Sequence, residues 1–240
     1  MKKSVLAFSI ITIMFFCSSF KDNSSHTKTD SLKLTKITDG SDVTSFIYKN
    51  GLLIKTISVN PDNDYSSVIE YIYEKGKIKK RFFYDLLSNG TQENLTTIIY
   101  NYTGNLITSD INNTGGIKYS NVYLYNSLGI VSNRKEYDSK GSLKSNYDYE
   151  YYESGNLKKE IKTSGTDTQI TNFISYDSKK NPEKLFLPNE LTSIDLISNN
   201  NLLSFDETTF EYKYNESNYP SHIIERENNV IVSTKILEYN

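Results

Sequence analysis

The chain has 240 residues, of which 37% are hydrophobic, 13% aromatic and 23% charged, with a formal net charge of −2 and a pI near 5.8. That mild acidity gives no electrostatic basis for binding nucleic acid or an anionic membrane surface. A single cysteine, Cys17, rules out an intrachain disulfide and a cysteine-built zinc site, and two histidines, His26 and His222, leave little for imidazole chemistry.

The N-terminus reads as an export signal. Lys2 and Lys3 precede an apolar run from Val5 to Phe16. The run is too short for a spanning helix, which needs about 20 apolar residues, but it suits the apolar core of a signal. Cys17 closes the run, and the arrangement resembles a bacterial lipoprotein signal, whose cysteine becomes the lipid-modified first residue of the mature chain. The resemblance implies a signal over residues 1–17, lipid attachment at Cys17, and contact with the membrane through that anchor. The alternative is ordinary secretion with cleavage after Ser19. Residues 18–31 are polar and poor in aliphatic groups, so they cannot offset their ordering entropy and read as a flexible tether.

From residue 32 to 240 one unit recurs: alternating aromatics, a short polar turn on Gly, then Leu or Ile. It is seen in Tyr71-Ile72-Tyr73 before Gly76 and Ile78, in Tyr100-Asn101-Tyr102 before Gly104 and Leu106, and in Tyr149-Glu150-Tyr151 before Gly155 and Leu157. The turn glycines at 51, 76, 104, 129 and 155 stand 25, 28, 25 and 26 residues apart, with Asn181 continuing the series and Tyr212 to Pro220 forming a last copy. Such a period holds two strands and two turns, one hairpin of a meander. Tyr147, Tyr149 and Tyr151 alternate with Asp148 and Glu150, the mark of an antiparallel sheet packed on one face. The expected fold is all-β: a single meander domain of about 12–14 strands in a strongly curved or barrel-like sheet, since open sheets rarely exceed about 10 strands. An apolar insertion near 183–209 reads either as a short helix or plug over the open face, or as a longer loop with its own cluster.

The unit Tyr137-Asp138-Ser139-Lys140-Gly141-Ser142-Leu143 resembles the YD repeat of Rhs-type proteins. The segments Tyr176 to Pro182, Ser198 to Asn201 and Tyr212 to Pro220 are similar to a set of Bacteroidota lipoproteins with a porin-like β-fold. This resemblance covers about residues 45–239. It implies the fold and a surface or periplasmic location, and brings no catalytic residues with it.

No phosphate loop, zinc helix or nucleophile elbow is present. Carboxylates are plentiful, but the sequence singles out no pair. Neither catalytic residue, metal nor other cofactor is expected. The 20 tyrosines admit two roles. Tyr147, Tyr149, Tyr212 and Tyr214 could line a concave binding face for a glycan or an unidentified protein, or they could form cross-strand ladders that only hold the sheet. Regular recurrence favours the ladder, and the absence of Trp weakens a sugar platform. The expected role is a non-catalytic binding module, with a purely structural envelope component as its rival and a hydrolase working through a carboxylate pair as the third reading.

Overall fold

The computed structural model describes residues 32–240; the signal, Cys17 and the tether at 18–31 lie outside them. The strands run β1 (Leu34–Asp39), β2 (Asp42–Lys49), β3 (Leu52–Val59), β4 (Tyr65–Glu74), β5 (Lys77–Leu87), β6 (Gln92–Thr103), β7 (Leu106–Thr114) and β8 (Ile117–Tyr125). They continue as β9 (Val131–Tyr137), β10 (Leu143–Tyr151), β11 (Leu157–Ser164), β12 (Asp167–Lys180), β13 (Asn200–Phe205), β14 (Thr208–Tyr214), β15 (Pro220–Glu227) and β16 (Val230–Tyr239). Each pairs antiparallel with its chain neighbour, and β1 pairs with β16, closing a 16-strand barrel. The repeat copies legible in the sequence fall on β2 to β15, six of them as hairpins, with β12 and β13 joined through the insertion instead. The two strands beyond the expected number are the first and last, which carry no tyrosine-turn-leucine unit; each pairs with its chain neighbour and with the other.

The tyrosine rhythm has a specific backbone cause. Each hairpin at one rim carries a register shift just before its second aromatic: between Ile47 and Tyr48, Ile72 and Tyr73, Asn101 and Tyr102, Leu124 and Tyr125, and Glu150 and Tyr151. Such a bulge increases local twist and ends pairing on one side of the strand. The β5–β6 ladder accordingly stops at Lys80 and Ile99, the β7–β8 ladder at Ser109 and Val122. The carbonyls of Ile78 and Ile107, two residues further out, then lack a ladder donor. The Tyr102 hydroxyl donates to the Ile78 carbonyl at 2.7 Å, and the Tyr125 hydroxyl to that of Ile107 at 2.6 Å. Tyr48 to Leu34, Tyr73 to Leu53, Tyr151 to Val131 and Tyr239 to Pro220 repeat the bond at 2.6–2.9 Å. The partner aromatic two residues earlier (Phe46, Tyr71, Tyr100, Tyr123, Tyr149) packs into the core. Removing one hydroxyl by Tyr102→Phe is therefore expected to cost about 0.5–1.5 kcal/mol by orphaning a carbonyl, read as a shift in the urea midpoint at constant slope.

The turns match their residues. Asn50-Gly51 takes φ of +53° and +82°, the pair of left-handed conformations a two-residue hairpin needs and that Asn and Gly tolerate. In the Tyr-Asp-x-x-Gly unit, Asp138 Oδ1 accepts the N–H groups of Lys140 and Ser142, each at 2.9 Å. Asn181 departs from the expected series: it closes no hairpin, and instead accepts the Glu183 N–H at 2.9 Å and donates to the Ser198 carbonyl at 3.1 Å.

Asn181 opens the insertion, which is shorter than the sequence suggests, because 200–209 already belongs to β13 and β14. What remains forms two short helices, α1 (Glu183–Phe186) and α2 (Asn189–Ile194). Leu196 follows in the left-handed region at φ +58°, with Ile197 N–H bonded to the Thr192 carbonyl at 3.0 Å and Leu196 N–H to that of Ser193 at 3.3 Å. This is the usual glycine closure of a helix made by leucine, and burial of the Leu196 side chain offsets the strain. Phe186, Leu187, Leu191, Ile194, Leu196 and Ile197 join one core with the inward strand residues, each buried side chain contributing about 1.5–3 kcal/mol. The insertion is a plug inside the barrel, the first of the two alternatives.

Candidate functional site

The plug is fixed to the wall by charge. Arg81 on β5 donates to both Asp195 carboxylate oxygens at 2.8 and 3.2 Å, and also to the Tyr100 hydroxyl. Burial alone would lower the Arg81 pKa, but Asp195 together with Tyr100 and Tyr71 outweighs it and holds the guanidinium protonated. Glu183, on α1, makes no ion pair among the described residues, and burial pushes its carboxyl up to about 8 against the opposing pull of Lys235 and Asn181.

Away from the plug the inward wall remains polar across β7 to β11. Asp110 accepts hydrogen bonds from Asn112, Asn121 and Tyr123 at 2.5, 3.0 and 2.5 Å. Burial nonetheless moves its pKa upward. One cross-strand row runs Tyr123, Arg134, Tyr147, Lys162. The Arg134 guanidinium lies 3.9 Å from the Tyr147 ring centroid, and Lys162 Nζ 5.7 Å from the same ring, cation–π contacts in a partly desolvated setting. Tyr149 and Glu160 pair in the adjacent row. Burial raises the Glu160 pKa, with Arg134 and Lys162 pulling the other way. A second feature is a groove of about 520 Å³ at the plugged rim, between α2 and three turns, lined among others by Lys75, Lys77, Asn105, Tyr125, Glu190 and Ser193.

The outward wall is of a different kind. Ion pairs bridge it at Lys36–Glu238 (2.7 Å), Lys55–Glu70 (2.9 Å), Lys159–Glu150 (3.5 Å) and Arg226–Glu211 (3.1 Å). Exposed aliphatics such as Ile72, Ile111, Leu124 and Ile170 lie between them. Barrels that sit in lipid show an uninterrupted apolar band about 25 Å tall with outward aromatic girdles; here the tyrosine girdle points inward and charges interrupt the outside.

The four tyrosines singled out in the sequence all lie on the inward wall, as two separate pairs. Tyr147 and Tyr149 are on β10 and Tyr212 and Tyr214 on β14, with three strands between them in the barrel order. The Tyr212 hydroxyl donates to the Leu202 carbonyl at 2.6 Å and that of Tyr214 to Asp177, so this pair is engaged within the fold. Tyr147 reaches Glu136 at 3.4 Å. The hydroxyl of Tyr149 is buried without a hydrogen-bond partner. Sequence reading missed Arg81, Asp110, Arg134, Glu160 and Lys162. The signal that could have found them is parity: counted from the turn glycines and corrected for the bulge, they are charges on the inward face.

No family model and no curated protein matches the sequence, and the resemblance to YD-repeat proteins gains no support from them. Among solved structures, a porin-like protein from Bacteroides uniformis aligns at TM-score 0.54 with 12% identity, over 87% of this chain and 96% of that one. A porin-like protein from Bacteroides vulgatus aligns at TM-score 0.41 with 17% identity, over 87% and 99% of the two chains. The alignment with the Bacteroides uniformis protein shows a shared barrel fold: an antiparallel meander closed on itself, here with a plug inside.

Proposed function

We propose that the protein is an exported, lipid-anchored, non-catalytic binding module of the cell envelope, whose barrel stands in water and takes a glycan or protein ligand on its inward wall. The observation that carries this is the inverted wall: aromatic girdle and apolar plug inside, ion pairs outside. A charged side chain facing lipid at mid-depth costs about 2–4 kcal/mol, so several such pairs favour water around the barrel. Membrane attachment then falls to Cys17. The polar inward row with unpaired donors supports binding over a purely structural role; the filled, plugged rim is what favours the structural alternative.

The test is fractionation of cells expressing the full chain. The native protein is expected in membranes resistant to carbonate washing and released by detergent, whereas Cys17→Ala is expected in the soluble fraction. Retention of folded Cys17→Ala in washed membranes would put the barrel wall in the bilayer and end this reading.

A further inference from the structure

The inward wall satisfies many of its polar groups in pairs; among the described residues the Tyr176 hydroxyl beside the plug and two groups on β9 and β10 are left out. Thr96 bonds Thr114 at 2.8 Å, Thr114 bonds Tyr119 at 3.0 Å, and Ser145 bonds Ser164 at 2.7 Å. Against that pattern, Arg134 Nε and the Tyr149 hydroxyl are both buried with no partner. Tyr149 is 7% exposed, and among the described residues no carboxylate makes an ion pair with the Arg134 guanidinium. The two stand on neighbouring strands, β9 and β10, and interact electrostatically with each other and with Glu160. Lys162 lies on the far side of the Tyr147 ring from the same row. A buried donor with no acceptor is costly and is rarely kept without a reason.

We propose that Arg134, Tyr149, Glu160 and Lys162 form a binding site for an acidic sugar. This deepens the binding reading above and is independent of the anchor. The carboxylate of the ligand takes the place of the missing partner of Arg134, with Lys162 adding charge, as planar guanidinium groups bind carboxylates well. Ring hydroxyls meet the Tyr149 hydroxyl and the Glu160 carboxylate. A neutral sugar leaves the two cations unmatched, and a simple carboxylate leaves the Tyr149 and Glu160 groups unmatched, so neither is expected to compete.

The probe is D-glucuronate, titrated calorimetrically into the full chain carrying Cys17→Ser, with glucose and acetate as comparisons. Glucuronate is expected to bind about tenfold or more tighter than either, a margin that one charge-assisted hydrogen bond supplies. Arg134→Gln is expected to weaken it about 30-fold. Tyr149→Phe is expected to weaken it about fivefold while leaving the melting temperature unchanged or raised, because that hydroxyl has no internal bond to lose. No glucuronate binding by folded protein, equal binding of acetate, or undiminished binding by Arg134→Gln would each overturn the proposal. A negative titration beside a soluble Cys17→Ala protein would remove this ligand and leave the anchored, water-standing barrel intact.

Discussion

Asp195→Ala is expected to destabilise the protein by about 3–5 kcal/mol, the cost of leaving one member of a buried ion pair without its partner. In a chain of this size that corresponds to a fall in melting temperature of about 6–20 °C. The reason lies in the position of Arg81: its side chain is only 12% exposed, it contacts Asp195 through both terminal nitrogens, and its Nε is already committed to Tyr100. Without Asp195 the guanidinium would stay charged in a poorly hydrated setting. Replacing both partners by Arg81→Met and Asp195→Leu is expected to cost far less, since buried pairs exchanged for apolar groups are often neutral. Urea melts of the two variants beside the parent check this. Equal losses for the single and double changes would mean that the plug is held by packing alone.

Leu191→Ala is the second large effect, expected at about 2–5 kcal/mol from lost burial and the cavity left behind. Leu191 is fully buried in the plug, at 0% exposure, whereas Ile170 on the outer wall is 52% exposed. Ile170→Ala is accordingly expected to stay within about 0.5 kcal/mol of the parent. The contrast tests which side of the sheet is the interior. A large loss at Ile170 with a small one at Leu191 would invert the assignment of the two faces.

How much of this is legible in the sequence depends on the range of the interaction. The hairpins are local: Asn50-Gly51 and the Asp138 turn carry their geometry within a few residues, and alternation around Tyr147 and Tyr149 gives the strand period. Closure is not local, because β1, which forms a hairpin with β2, must also find β16 some two hundred residues away, and neither bears the repeat. Asn181 looks like one more turn residue because Asn serves that role elsewhere, as at Asn218 with φ +63°. Its actual role combines a local bond from the Glu183 N–H with one to the Ser198 carbonyl, which only the folded plug brings beside it. The candidate site shows the same division. Tyr147 and Tyr149 are visible as part of the rhythm, while Arg134 and Glu160 look like any strand charges until the bulges fix which parity faces in.

The chain ends bear on how the molecule is displayed. Lys33 and Asn240 exchange backbone hydrogen bonds at 3.1 and 3.4 Å, so residue 32 leaves the barrel at the rim that also holds the plug. If the protein is anchored as proposed above, attachment there would hang the barrel like a cup by its base: the stoppered rim would face the point of attachment, and the ring of turns at Gly40, Gly116 and Gly141 would face outward.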